Sequence, residues 1–480
     1  MWSIMTAPSR RSFLRSGFAA LVAAGGGALI APPLACKAGE ARSRAVGLRP
    51  PDSTTPPRVI ARTAAIGEVE IGPGVRYRTW MYDGSFPGAE IRARDGERLR
   101  IEVANHLPED TTIHWHGLPV PNAMDGVPGI TQAPIAPGSS FAYEFTAGPA
   151  GTYMYHTHVG LQLDRGLFGP LIVEEARPHV SYDREYTVIL DDYLPTDPAP
   201  LSATGGRMGG GMMGGGMAGG ATPPYTALLI NGRLPASPVA FSVRRGDRVR
   251  FRFINPSGAT TYRVAIGGHR LAVTHADGRP VQPVTVDNFT ISMGERYDAI
   301  VDADNPGVWN VSAVPLEVQA PPARALLVYA DSTAPHPPAN ALPDQLRGRT
   351  LTLDDLIGIE GNGAEIGPAD RRFDLALSGG MMSRQWTINR QAYPNADPID
   401  IHAGEIVEFR MTNLSMMIHP MHLHGHFFQV GRAFKDTVLV PPYMGSIRFR
   451  FAADNPGKWF FHCHNLYHME AGMARVVRYL

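Results

Sequence analysis

The residues Arg94-Asp95-Gly96-Glu97-Arg98-Leu99-Arg100-Ile101-Glu102-Val103-Ala104-Asn105 decide the fold, because their pattern occurs three times. The counterparts are Arg244-Arg245-Gly246-Asp247-Arg248-Val249-Arg250-Phe251-Arg252-Phe253-Ile254-Asn255 and His402-Ala403-Gly404-Glu405-Ile406-Val407-Glu408-Phe409-Arg410-Met411-Thr412-Asn413. Each copy has a turn glycine, an acidic residue, alternating apolar positions and a closing Asn. Apolar residues at every second position mark a half-buried strand. The glycines at 96, 246 and 404 lie 150 and 158 residues apart. A second element, Gly151-Thr152-Tyr153, Gly307-Val308-Trp309 and Gly457-Lys458-Trp459, recurs at 156 and 150 residues and opens another apolar strand each time. Two elements repeating in one order predict three copies of a β-rich domain of about 150 residues, each a sandwich or barrel.

Composition agrees with this all-β reading. The chain has 480 residues, including 52 Gly and 43 Pro, which favour turns and short strands over long helices. Its 44 basic residues balance 44 acidic ones, and charged residues make up only 18%. That balance gives no electrostatic case for a nucleic-acid partner or an anionic surface. Two cysteines, Cys36 and Cys463, exclude a multi-bridge disulfide framework. The boundaries expected are 48–176, 177–335 and 345–480, with a Pro- and Ala-rich linker before the third domain. A Gly/Met-rich insert at 205–220 reads as an exposed loop.

Residues 1–36 read as an export signal. Arg10-Arg11 precede an apolar, Ala/Gly-rich stretch, the order of a twin-arginine signal handled by the twin-arginine translocation machinery. Pro32 and Pro33 argue against a stable spanning helix there. Leu34-Ala35-Cys36 resembles a lipoprotein cleavage site, although Pro33 stands where an aliphatic residue is usual; ordinary signal cleavage with Cys36 a bystander is the alternative. The expected location is the periplasm or cell envelope, with a lipid at Cys36 the only membrane contact, and the expected state is a monomer.

Ten of the 17 histidines fall in four clusters: His114-Trp115-His116, His156-Thr157-His158, His419-Pro420-Met421-His422-Leu423-His424, and His462-Cys463-His464 with His468. On a strand, residues two apart share a face, so each His-x-His pair presents two imidazoles to one side. The same parity turns Cys463 away from His462 and His464, toward a second site. His419 has parity opposite to His422 and is free to join Cys463, and His468 and Met473 follow at intervals that suit delivery from a loop. Two His, a Cys thiolate and a weak axial Met form a blue-copper set. Eight imidazoles remain, enough for a group of three metals. Structural zinc prefers closed, Cys-rich tetrahedral sets and fits less well. The first and third domains supply all four clusters, so the multi-metal site is expected between them, with the middle domain as a spacer. His106, His179, His269, His275, His336, His402 and His426 are read as structural or surface residues.

With these motifs, and the stretch Pro121-Asn122-Ala123-Met124-Asp125-Gly126-Val127-Pro128-Gly129, the chain from about residue 60 onward resembles the three-domain multicopper oxidases. The likeness is greatest to exported bacterial copper-tolerance oxidases of the mycobacterial type. The resemblance implies three consecutive cupredoxin-like Greek-key domains and four copper ions. It places type 1 copper on His419, Cys463 and His468 with Met473 axial, and type 2 copper on His114 and His422. The type 3 pair takes His116, His156, His158, His424, His462 and His464. Electrons from a reductant pass through Cys463 to His462 and His464, and dioxygen is reduced to water. Asp125 matches an acid near the type 2 side, or is a plain Asp-Gly turn residue. Glu470 occupies an acidic position of fungal laccases, whereas Met469 stands where many bacterial members carry the acid.

The reductant is Cu(I) or a small phenol. Thioethers suit Cu(I), and Met208, Met212, Met213 and Met217 lie in the insert, while Met416 and Met417 precede His419. Met417 matches a substrate-copper methionine of enterobacterial cuprous oxidases, with Ser415 in place of its acidic partner. A low-complexity linker and a core Met pair are the plainer readings. A non-catalytic scaffold or a copper-storage protein is disfavoured by the full ligand set, and a copper nitrite reductase by the four paired motifs.

Overall fold

The computed structural model describes residues 55–201, 223–359, 366–380 and 385–480. The export segment 1–36, Cys36, and Met208, Met212, Met213 and Met217 lie outside the described residues. No helix among those described is long and apolar enough to cross a membrane.

Six sheets form three two-sheet sandwiches. Each predicted repeat is a strand at the same place in its sandwich: Arg98–Asn105, Arg248–Ile254 and Ile406–Asn413. Each pairs in parallel with the strand that opens its domain, Arg58–Gly72, Arg184–Tyr193 or Arg371–Ser378. On its other edge each pairs antiparallel, with Ser140–Thr146, Arg296–Asp302 or Ser446–Ala452. The alternation has the expected cause: Leu99, Ile101 and Val103, then Val249, Phe251 and Phe253, then Val407, Phe409 and Met411 are fully buried between the sheets.

The repeated punctuation has a physical basis too. Gly96, Gly246 and Gly404 hold φ of +88°, +88° and +86°, where a Cβ is strained. Asn105, Asn255 and Asn413 accept from the backbone N–H two residues on and donate Nδ2 to two carbonyls. Each thus ties off the loop after its strand, satisfying backbone groups that the sheet leaves unpaired.

The middle copy departs from strict alternation. Arg250 and Arg252 should face solvent, yet both are buried, because that face docks on the first domain and pairs with Asp298, Glu175 and Glu185.

Candidate metal centre

Four strand ends carry the histidines. His114–His116 runs antiparallel to Gly151–His156, placing His114 opposite His156. In the third domain His419–Leu423 runs antiparallel to Lys458–Cys463, placing His422 opposite His462 and Met421 opposite Cys463. Across the domain boundary His114 stacks on His424 and His116 on His422, with ring centroids 3.8 Å apart in both pairs. The four motifs therefore converge on one place between the first and third domains.

Hydrogen bonds select which ring nitrogen faces inward. Nδ1 of His114, His156, His422 and His462 lies 2.8–2.9 Å from the backbone oxygens of Asp125, Thr157, Asp436 and Cys463. Donation there leaves Nε2 as the free lone pair. Nε2 of His114, His156, His158 and His422 is buried with no partner. His424 Nε2 lies 3.0 Å from His462 Nε2, and His464 Nε2 lies 3.2 Å from His116 Nδ1. Each orphaned buried nitrogen costs about 1–3 kcal/mol, which a metal ion would relieve. Burial, together with neighbouring imidazoles, pushes His156, His158, His424, His462 and His464 well below the usual imidazole range, so these rings are neutral and able to ligate. Donor atoms of His158, His424 and His462, and of His114, His116 and His156, lie within 4.8 Å of one another.

Cys463 faces the other way, as strand parity requires. Its Sγ lies 3.6 Å from His419 Nδ1 and 3.7 Å from His468 Nδ1, and those nitrogens are 3.2 Å apart. Three ligand atoms about 2.1 Å from one centre in a trigonal plane sit about 3.6 Å apart, so the triangle fits copper. Burial raises the Cys463 thiol and lowers His419 to about 3. The thiolate therefore needs a cation to form. Met473 is buried and bonded by its backbone to both Cys463 and His468. His468 comes from a five-residue helix, Leu466–Glu470, where a loop was expected; Asn465 caps it by accepting from Tyr467 N and His468 N. Trp386 stacks on His468 at 3.9 Å and meets His419 edge-on at 5.2 Å.

Asp125 is fully buried at the cluster. Its Oδ2 lies 3.0 Å from His424 Nδ1, and its Oδ1 3.2 Å from His114 Nδ1. It is also a turn residue, since Gly126 follows at φ +83° with no space for a Cβ against Ile113 O. Glu470 is exposed at the helix end, whereas Met469 lines a small cavity shared with His156, His158, His462 and His464. Met416 is 54% exposed, and Met417 packs on the third core.

Sequence reasoning missed Asp436. This buried carboxylate lies 3.2 Å from His116 Nε2 and 3.5 Å from His422 Nδ1, and Arg296 of the middle domain chelates it. Burial alone would raise its pKa, but the Arg296 guanidinium holds it well below the usual carboxylate range. The middle domain is thus more than the spacer expected. An acid in Lys435-Asp436-Thr437, within an apolar strand pair, was the only signal.

With this geometry in place, family models described as multicopper oxidase match residues 64–178, 184–332 and 368–480. The chain belongs to the multicopper oxidases, and is an oxidoreductase built of three cupredoxin-like domains that binds copper and uses dioxygen with a reductant. It is 36% identical to the multicopper oxidase MmcO of Mycobacterium tuberculosis, over 98% of this chain and 97% of that protein. It is 29% identical to a copper resistance protein A homolog of Pseudomonas syringae pv. tomato, over 86% and 91% of the two chains. A laccase structure from Botrytis aclada aligns with a TM-score of 0.74 at 25% identity over 88% of each chain.

Proposed function

We propose that this chain is a cuprous oxidase, coupling oxidation of Cu(I) to Cu(II) with reduction of dioxygen to water in copper detoxification. The observation that carries the oxidase reading is the set of orphaned imidazole nitrogens joined through His462-Cys463-His464 to a trigonal sulfur site. In this reading His419, Cys463, His468 and Met473 hold type 1 copper, and His114 and His422 hold type 2. His116, His156 and His464 hold one type 3 ion and His158, His424 and His462 the other. Bound copper supplies one-electron transfer at the sulfur site and four-electron reduction of dioxygen at the histidine site. Cys463 keeps the two sites one residue apart along the chain, while burial of both excludes bulk water. Asp125 orients His114 and His424.

Cu(I) is favoured by exposed thioethers on the loop that leads into His419 and on the loop bonded to it. Met416, 54% exposed, and Met444, 65% exposed, sit on loops bonded to each other's flanks through Asn413 and Ser415. Ser415 Oγ lies 2.8 Å from His419 Nε2. A relative named for copper resistance agrees. Phenol oxidation is the second reading, favoured by the structural likeness to a laccase. The insert with Met208, Met212, Met213 and Met217 is assigned to copper delivery: deleting 205–220 should lower Cu(I) turnover more than phenol turnover, and equal loss rejects the assignment. Replacing Met416 and Met444 by Leu should do the same.

Export by the twin-arginine route to the periplasm or cell envelope, as a monomer, completes the proposal. The export route is supported by Arg10-Arg11 and the apolar stretch after them. Mass spectrometry of the mature N-terminus tests the Cys36 lipid; an unmodified residue downstream of Cys36 removes it.

A further inference from the structure

We propose that Arg296 of the middle domain is a positioning residue for the histidine site, acting through Asp436 to fix the ring state of His116. The inference rests on the copper reading above and concerns a domain that supplies no ligand to it.

Arg296 is fully buried, and its donors reach all three domains. Two nitrogens bond the Asp436 carboxylate at 2.7 and 2.6 Å in the third domain; Nε donates to Thr152 O at 3.1 Å in the first; a terminal nitrogen also donates to Gly294 O at 2.9 Å in its own turn. Asp436 Oδ1, held by this fork, lies 3.2 Å from His116 Nε2, and Thr437 Oγ1, which donates to Asp436 Oδ1 at 2.9 Å, is hydrogen-bonded to the same ring nitrogen at 3.2 Å. The carboxylate accepts only, and by taking the Thr437 hydroxyl proton it leaves Thr437 Oγ1 to accept as well, so both favour a proton on His116 Nε2 and leave Nδ1 as the lone pair. That Nδ1 is the atom facing His464 Nε2 at 3.2 Å. His116 is thus presented through Nδ1, unlike His114, His156 and His422, whose Nδ1 is held by a backbone carbonyl.

Two further contacts indicate that this device serves the site. Gly294, at φ +86°, touches the ligand rings: a Cβ there would lie 2.8 Å from His464 Cδ2 and 3.1 Å from His116 Cε1. Asp277, beside Arg296, accepts from Arg296 N at 2.9 Å and Thr437 N at 3.2 Å and pairs with Lys435 at 3.0 Å. The middle domain thereby grips the segment Lys435-Asp436-Thr437 on both sides of the acid. Buried ion pairs are weak contributors to net stability, so packing alone gives little reason for one here.

The test uses the full, copper-loaded chain carrying Arg296→Gln, Arg296→Lys or Gly294→Ala. Blue absorption reports the Cys463 site and serves as the folding control; the type 2 electron paramagnetic signal and copper per chain during chelator titration report the histidine site. Arg296→Gln should keep the blue absorption while copper retention at the histidine site falls about 10- to 100-fold, the range for a lost outer-shell partner. Arg296→Lys keeps the charge but loses the fork; it should fall between, and it decides the matter if the Gln variant does not fold. Gly294→Ala should lower copper retention at the histidine site with the blue band intact. Unchanged retention in the Arg296 variants, or loss of both signals in proportion, overturns the proposal. Wild-type protein with copper only at the Cys463 site overturns the copper reading itself, and this inference with it.

Discussion

Replacing Asp125 by Asn separates the two halves of the reaction. The substitution preserves shape but converts two acceptor oxygens into one oxygen and one donor. In the wild type Oδ2 faces His424 Nδ1 at 3.0 Å and Oδ1 faces His114 Nδ1 at 3.2 Å. His114 keeps the Asp125 backbone oxygen at 2.9 Å whatever the side chain. The amide oxygen can satisfy His424, and Oδ1 makes no hydrogen bond to lose, so what the substitution removes is the carboxylate charge beside both rings, while its NH2 is brought up to the His114 N–H. Loss of one outer-shell partner costs about 10- to 100-fold in activity, equivalent to about 1.4–2.7 kcal/mol in barrier. The assay is stopped-flow in two stages: anaerobic reduction followed at the blue band, then reoxidation on mixing with dioxygen. Reduction should match wild type, because no contact of Asp125 reaches the Cys463 site, while reoxidation should slow by that factor. Wild-type reoxidation, or equal slowing of both stages, refutes the reasoning.

Cys463→Ser should abolish the blue absorption and steady-state turnover while the fold and histidine-site copper persist, checked by copper content and circular dichroism. Burial raises the Glu317 carboxyl to about 7, against the Thr261 N–H that it accepts at 3.0 Å. A carboxyl raised in the folded state stabilises fully below its unfolded value and loses that contribution as pH rises through about 7. The gap corresponds to about 3 kcal/mol at most, and partial exposure brings it nearer 1–2 kcal/mol. Glu317→Gln should therefore equal wild type in denaturant titrations at pH 4 and exceed it at pH 8; no difference between the two pH values refutes the assignment. Trp386→Ala removes the ring stacked on His468 and should cost about 3–5 kcal/mol. It should also raise phenol turnover relative to Cu(I) turnover by uncovering the imidazole, and an unchanged ratio counts against Trp386 as a screen.

What the sequence disclosed was what repeats or alternates. The strand copies were legible because Gly96, Gly246 and Gly404 need the left-handed region and because Asn105, Asn255 and Asn413 make one set of bonds. The ligands were legible because strand parity translates His-x-His into a shared face. Asp436 and Arg296 were not, since an ion pair across 140 residues leaves no local pattern. The burial of Arg250 and Arg252 was not legible for the same reason: their partners include Glu175 and Glu185, in segments far along the chain. Trp386 read as one apolar residue among many, and only the folded chain lays it on His468.

The two sites share one strand, which makes register the quantity that function depends on. Side chains alternate with period two, so a one-residue slip of Lys458–Cys463 would put the thiol among the imidazoles and a histidine into the sulfur site. Three pairs, Met421 with Cys463, His422 with His462 and Leu423 with Phe461, set the register on one edge, and five pairs with Ala474–Tyr479 set it on the other. Trp459 adds a side-chain constraint to the ladder. Its Nε1 donates to Asn455 O at 2.6 Å, and its ring fills the space beside Gly425, where a Cβ would come within 2.4 Å. Gly425 directly follows His424, so the indole that locks the Cys463 strand is seated against the loop that carries a histidine-site ligand. A bulky residue at 425 would have to displace Trp459, and displacing Trp459 distorts the strand on which both sites rest. Gly425→Val should therefore lose blue absorption and histidine-site copper together, unlike changes at Asp125 or Arg296, which leave the sulfur site in place.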